Sequence, residues 1–192
     1  MKVILLAGGL GTRLSEETLL KPKPMVEIGG FPILWHIMKI YSFYGFNEFV
    51  IALGYKGEII KDYFLNYYDR YSDLTVDFKN NKVIKHQKMN EDWTVNLIST
   101  GSDSLTGNRI KKSMEFIGKE RVLMTYGDGL SNINLNELVN FHIAHKKLST
   151  LTAVRPSARF GELNFKDNLI NHFKEKPQAG EGWINGGFFV LE

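Results

Sequence analysis

Apolar residues in this chain come in short continuous runs, separated by stretches with helical spacing. Residues 2–7 (KVILLA) and 48–53 (EFVIAL) show little polar alternation. That is the pattern of strands covered on both faces. Between them, residues 33–44 (ILWHIMKIYSFY) carry apolar side chains at helical intervals, and Gly45 stands where a C-terminal cap belongs. Residues 57–67 repeat the helical spacing. This strand–helix–strand–helix opening predicts a parallel sheet with helices on both faces. A long loop is expected from the end of the first strand to about residue 30.

The middle of the chain changes character. Segments 74–79 and 82–86 flank Asn80-Asn81, which reads as a hairpin turn. Residues 93–98 (WTVNLI) predict a strand, and 104–117 a helix with Ser104 or Thr106 as its cap. A buried strand follows at 121–126 (RVLMTY), ending in Gly-Asp-Gly at 127–129. A helix at about 134–147 and a strand at 149–154 restore the alternation. Asp167-Asn168 marks a second hairpin between 161–166 and 168–174, and residues 183–191 form the last strand. The expected whole is an α/β domain with a mixed sheet and small β insertions.

Composition narrows the function classes. With 192 residues, 43% of them hydrophobic, the chain is long enough for one packed core, so a single domain over 1–192 is expected. The formal net charge of +3 is mild and no basic block stands out, which argues against a nucleic-acid partner. The absence of cysteine excludes disulfides and thiolate metal sites. No apolar run approaches bilayer length, and residues 3–7 (VILLA) are too short for a leader, so no membrane partner is expected and the setting reads as cytoplasmic. The chain ends on WINGGFFVLE, an expected strand with no polar tail, so a missing C-terminal segment is expected. His142 and His145 share a helix face, but with no third ligand in view they do not predict zinc. Trp35, Tyr41, Phe43 and Tyr44 are expected to pack helix against sheet. The aromatic stretch 63–71 reads as partly buried, with a homo-oligomer contact as the second reading.

The most informative stretch is LLAGGLGTRLSEETLLKPKPM, residues 5–25. Glycines directly after a first strand let the backbone approach a ligand and turn its N–H groups towards an anion. Two familiar phosphate motifs fail on residues. The dinucleotide fingerprint needs a third glycine where Leu14 stands, and the P-loop needs a Gly-Lys-Ser/Thr triplet that is absent. What remains is Gly8, Gly9, Gly11, Thr12 and Arg13, followed by Lys21 and Lys23. Arg13 offers a planar fork for phosphate oxygens, and Lys23 a point charge stiffened by Pro22 and Pro24. Asp128 ends a buried strand, the edge where open α/β sheets bind ligands, and its carboxylate suits Mg²⁺. Gly-Asp-Gly is also common turn chemistry.

At these residues the chain resembles the sugar-1-phosphate nucleotidylyltransferases. LAGGLGTRL and KPKPMVEIGGFPIL carry the likeness to the family. SEET, PILWHIMKIYS, GYKG, TGSDSLTGNR, TYGDG and INGGFFVL favour its cytidylyltransferase branch acting on glucose 1-phosphate. The resemblance runs along essentially the whole chain. It implies a Rossmann-like nucleotidyltransferase fold with a mixed, mostly parallel central sheet. It also implies a Mg²⁺-dependent reaction of CTP with α-D-glucose 1-phosphate, giving CDP-glucose and pyrophosphate. Uridylyl, thymidylyl or guanylyl transfer stays open as an alternative, because base choice lives in a few loop contacts. So does a non-catalytic binding module, whose expected sign is loss of Arg13, Lys23 or Asp128; all three are present.

The resemblance also implies residue roles. Leu6, Ala7, Gly8, Gly9, Leu10 and Gly11 would pass close to the nucleotide, with Thr12 and Arg13 on the triphosphate. Ser104, Arg109 and Gly127 would also meet the nucleotide, Asn108 standing where the family has a glycine. Arg13, Lys23 and Asp128 would be catalytic, Asp128 as a metal ligand, with a second metal-binding aspartate expected beyond residue 192. Glu175 and Lys176, in FKEKPQ, would hold the sugar phosphate together with Asn185 and Gly186; read from the residues alone, the first pair is a solvated charged segment and the second a turn or bulge. Removing a charged contact from a phosphoryl-type transition state costs a few kcal/mol. Arg13→Ala and Lys23→Ala are therefore each expected to lower turnover about a hundredfold or more in a steady-state pyrophosphate-release assay.

Overall fold

The computed structural model describes residues 1–9, 20–86, 91–156, 162–166, 168–174 and 182–192. Its centre is a six-stranded sheet built from β1 (Val3–Ala7), β4 (Glu48–Leu53), β7 (Thr94–Ser99), β8 (Val122–Tyr126), β9 (Ser149–Val154) and β12 (Ile184–Leu191), in the order β7-β4-β1-β8-β12-β9. The first four are parallel, and β12 runs antiparallel to both β8 and β9. This is the mixed, mostly parallel sheet flanked by helices that the apolar runs predicted.

Alternation along the strands divides the interior into two layers. Val3, Leu5 and Ala7 face one side, with Phe49, Ile51 and Leu53 beside them. That layer is covered by α1 (Ile33–Phe43) through Leu34, Ile37, Met38 and Tyr41, by α2 (Gly57–Leu65) through Ile60 and Tyr63, and by α5 (Leu135–His145) through Leu135 and Leu138. Ile4, Val50, Val122 and Met124 face the other side. There the cover is α4 (Thr106–Ile117), through Ile110, Met114 and Ile117.

The chain starts at β1, moves outward through β4 to β7, then returns to β8 on the opposite side of β1. The connections after β1 and β8 therefore diverge at the C-terminal edge and leave a crevice between them, where open α/β sheets bind ligands. The remaining strands are small additions. A two-residue hairpin, β2 (Glu27–Ile28) with β3 (Phe31–Pro32), turns at Gly29 and Gly30, both at positive φ. Two more hairpins pair β5 (Asp73–Asp77) with β6 (Lys82–His86) and β10 (Glu162–Lys166) with β11 (Leu169–Lys174). Asn81 at φ 52° and Asn168 at φ 63° sit at their turns, as the sequence predicts for asparagine.

Local signals explain several boundaries. α1 closes in a Schellman cap: Gly45, at φ +83°, donates to Ser42 O (2.9 Å) and Phe46 donates to Tyr41 O (3.1 Å). Asn134 caps α5, its side-chain oxygen accepting from Asn136 N and Glu137 N. Inside α5, His142 is fully buried and hydrogen-bonds Thr150 Oγ1 (2.8 Å) and Glu192 Oε1 (3.0 Å), tying the helix to the edge of the sheet.

Four expectations change. The helix predicted at 57–67 is two: α2 stops at Leu65, and α3 (Tyr67–Tyr71) follows a break at Asn66, whose side chain turns back to Asp62 O. Tyr63 and Tyr67 are both buried, while Tyr68 stays exposed. The long loop before residue 30 contains a 3₁₀ turn over Lys23–Met25 and the β2–β3 hairpin. Neither Ser104 nor Thr106 caps α4; the N-cap position is Leu105, and Ser104 bonds back to Thr100 O instead. Of the α1 aromatics, Tyr41 is buried, but Phe43 is 84% exposed because it points away from the stripe that meets the sheet.

The Asn134 cap gives a stability test. Asn134→Ala is expected to lower the unfolding free energy by about 1 kcal/mol in urea titration, with the denaturant slope unchanged.

Candidate active site

Four segments converge on the crevice between β1 and β8. The end of β1 brings Leu6, Ala7, Gly8 and Gly9. The 3₁₀ turn brings Lys23 and Pro24. Tyr126 and Asp128 come from the end of β8, and the start of α4 brings Ser104, Leu105, Thr106 and Arg109. Together they line a cleft of about 400 Å³. Eight residues expected at the site thus meet in one place: Leu6, Ala7, Gly8, Gly9, Lys23, Ser104, Arg109 and Asp128.

Gly127 sits directly behind the cleft. Its N–H donates to Leu6 O (2.9 Å), and a Cβ there would stand 2.9 Å from that oxygen and 3.0 Å from Pro24 Cγ. The glycine lets the 3₁₀ turn close against the ends of β1 and β8. Asn185 and Gly186 lie on β12 where the register with β9 slips, Asn185 facing Ala153 and Phe189 facing Leu151. The bulge is fixed by Gly187 N donating to Asn185 Oδ1 (2.9 Å). Asn185 Nδ2 in turn donates to Tyr126 Oη (3.2 Å), which connects the bulge to the cleft wall. Leu10, Gly11, Thr12, Arg13, Glu175 and Lys176 lie outside the described residues.

The charges at the cleft are arranged in two ways. Lys23 Nζ and Asp128 Oδ2 form an ion pair across the mouth, each side chain about one-third exposed. Pro22 and Pro24 flank the lysine, and Met25 N donates to Pro22 O (2.8 Å). Such an exposed pair contributes little to stability, about 0–1 kcal/mol, so its value is in holding two opposite charges ready at one point. Arg109, by contrast, is 5% exposed. Burial pushes its pKa below the ordinary value, with the nearby charge of Asp103 working the other way. An arginine so placed stays protonated. The first turn of α4 also opens on the cleft with no side chain capping it, and its N–H groups add positive potential there. An anionic ligand suits this cleft.

For a metal, the described lining of the cleft offers one carboxylate, Asp128; no cluster of three or more His, Asp or Glu forms among the described residues. One carboxylate in a cleft that also holds cations fits an ion that takes its remaining oxygens from a polyphosphate, as Mg²⁺ does.

Sequence reasoning missed Pro24, Leu105, Thr106 and Tyr126 as wall residues. Tyr126 was within reach, since it precedes Gly127 in TYGDG; Leu105 carries no chemical signal at all.

The nucleotidyl transferase family profile matches residues 2–192. The glucose-1-phosphate cytidylyltransferase of Salmonella typhimurium is 52% identical over 192 residues, covering all of this chain and 75% of that one. The probable glucose-1-phosphate cytidylyltransferase of Bacillus subtilis is 48% identical over 191 residues, covering all of this chain and 74% of that one. Among solved structures, HddC of Yersinia pseudotuberculosis complexed with GMP-PN aligns with a TM-score of 0.66 at 24% identity, covering all of this chain and 76% of that one; at that identity the likeness concerns the fold. The chain belongs to the nucleotidyl transferase family. Within it, the relatives of highest identity named here are glucose-1-phosphate cytidylyltransferases.

The Lys23–Asp128 geometry separates chemistry from stability. Asp128→Asn is expected to change the unfolding free energy by less than about 1 kcal/mol, while turnover falls about a hundredfold or more. Denaturant titration and a rate assay on the same preparation check both.

Proposed function

We propose that this chain transfers the cytidylyl group of CTP to α-D-glucose 1-phosphate, giving CDP-glucose and pyrophosphate. The observation that carries the reading is the cleft between β1 and β8, which holds Lys23 and Asp128 together beside Gly8 and Gly9. The 48–52% identity to cytidylyltransferases along the full chain supports the choice of reaction.

In this reading a phosphate oxygen of glucose 1-phosphate attacks the α-phosphorus of CTP in line. The new P–O bond forms as the bond from the α-phosphorus to the bridging oxygen breaks, and pyrophosphate leaves. The protein's work is positioning and charge neutralisation. The backbone at Gly8 and Gly9 meets the nucleotide. Lys23 exchanges the Asp128 carboxylate for phosphate oxygens near the reacting centre, and Arg13 steadies the departing pyrophosphate. Asp128 would hold Mg²⁺, which when bound supplies charge neutralisation at the triphosphate. Glu175, Lys176, Asn185 and Gly186 serve the sugar phosphate, with Asn185 braced on Tyr126. A cytoplasmic setting goes with this reading, and no described helix is long and apolar enough to cross a membrane.

The test is pyrophosphate release with Mg²⁺ and glucose 1-phosphate, offering CTP, UTP, dTTP, GTP and ATP in parallel. The expected result is turnover with CTP above the other four. Preferential turnover of another nucleotide would overturn the cytidylyl assignment while leaving the family intact.

A further inference from the structure

β12 carries a bulge beside the cleft wall. Between the pairs Asn185–Ala153 and Phe189–Leu151, the residues Gly186, Gly187 and Phe188 stand against Thr152 alone. The bulge lies close on β9: a Cβ at Gly186 would stand 2.9 Å from Val154 Cγ1 and 3.0 Å from Thr152 O. Gly187, at φ +86°, supplies the left-handed turn and packs against the Tyr126 ring, where a Cβ would stand 3.2 Å from Cδ2. Phe189 meets the same ring edge-on, with centroids 6.0 Å apart. Tyr126 is therefore held by the bulge strand as well as by its own.

The hydrogen bonds at the bulge settle the orientation of the Asn185 amide. Gly187 N is a donor, so the amide atom it meets at 2.9 Å is the oxygen, Oδ1. Nδ2 then faces Tyr126 Oη at 3.2 Å; the amide donates and the phenol oxygen accepts. An asparagine amide offers two N–H groups and two lone pairs on its oxygen, and one of each is used here. Among the described residues, one N–H and one lone pair remain, side by side at fixed positions. Two neighbouring hydroxyls of a hexose take up such a pair, one accepting and the other donating, and their configuration at the ring decides whether both reach. Phenylalanine would fill the same wall as Tyr126; the hydroxyl is the part that reaches Asn185.

We infer that Tyr126 is a specificity-determining positioning residue: its hydroxyl holds the Asn185 amide in the orientation that reads the hydroxyls of the sugar, and it leaves the nucleotide to the rest of the cleft. This rests on the proposed reading in which Asn185 serves the sugar phosphate. Tyr126 lines the cleft together with Asp128, so one strand end carries both the sugar brace and the carboxylate.

The test measures equilibrium binding of CDP-glucose and CDP to the full chain, to Tyr126→Phe, to Asn185→Ala and to their double variant, together with kcat and KM for glucose 1-phosphate. Tyr126→Phe removes one neutral hydrogen bond. It is expected to weaken CDP-glucose about fivefold and to raise KM for glucose 1-phosphate by a similar factor. CDP binding and kcat should stay at the parent values, which a merely structural role would not allow. The preference for glucose 1-phosphate over galactose 1-phosphate and mannose 1-phosphate should fall in the same variant. Asn185→Ala should weaken CDP-glucose at least as much, and the double variant no more than Asn185→Ala, because Tyr126 acts through the amide. Unchanged CDP-glucose binding in Tyr126→Phe, or an equal loss for CDP, would overturn the inference. So would an unchanged preference among the three sugar phosphates. A double variant showing the product of the two single losses would make Tyr126 a direct sugar contact and overturn it as well. If Asn185→Ala binds CDP-glucose like the parent, the amide does not serve the sugar and the inference falls with it. If the parent protein turns over another nucleotide better than CTP, the cytidylyl assignment alone fails, and the same cycle with that base's diphosphate and nucleotide-sugar still decides the role of Tyr126.

Discussion

Parallel strands that end at one edge of a sheet leave their last carbonyls pointing the same way, into a region with few donors. In this protein one buried guanidinium joins other donors there: Leu53 O also accepts from Thr100 N and Thr100 Oγ1, and Gly8 O from Tyr55 N. Arg109 donates to the carbonyls of Leu53 and Gly8, just past or at the ends of neighbouring strands, and to those of Gly101 and Ser102 in the next connection. A buried carbonyl without a donor costs about as much as a lost hydrogen bond, so the edge of the sheet and the wall of the cleft are stabilised by the same contacts. The crevice between β1 and β8 keeps its shape because its floor is hydrogen-bonded from below.

The cations of the site divide accordingly. Lys23, on a proline-flanked turn, is partly exposed and paired at the mouth with Asp128. Arg109 is buried and carbonyl-bound. A mobile ammonium suits the first position, since it exchanges partners easily, and a rigid fork suits the second. Reading either as an interchangeable positive charge would miss what its surroundings allow it to do.

Much of the fold was legible in the sequence, for identifiable reasons. Continuous apolar runs marked the buried strands, Gly45 marked the end of α1, and Asn81 and Asn168 marked hairpin turns, because each is a local rule with a local cause. The site was legible where a motif names its own residues, as for Gly8, Lys23 and Asp128. What stayed hidden depends on who meets whom in space. Ser104 looks like a cap, but bonding to Thr100 competes with that role. Phe43 fits the apolar pattern of α1 yet faces outward, since periodicity alone does not set where the buried stripe ends. Gly54 looks like an ordinary turn glycine until Arg109, more than fifty residues later, is seen against it. The strand order that brings them together is a long-range property that no window of sequence contains.

The two faces of the sheet are covered unequally: among the described residues, α4 is the one helix on the thinner side. Ile110, Met114 and Ile117 press it onto Ile4, Val50 and Met124, while Arg109 reaches from the same helix to the Gly8 carbonyl. Packing on this helix and the shape of the cleft wall are therefore not separate properties. A change of side-chain volume on its apolar face that shifts the helix also shifts the guanidinium against the ends of β1 and β4. The cleft thus inherits its rigidity from the apolar side of the helix, the side that faces away from solvent.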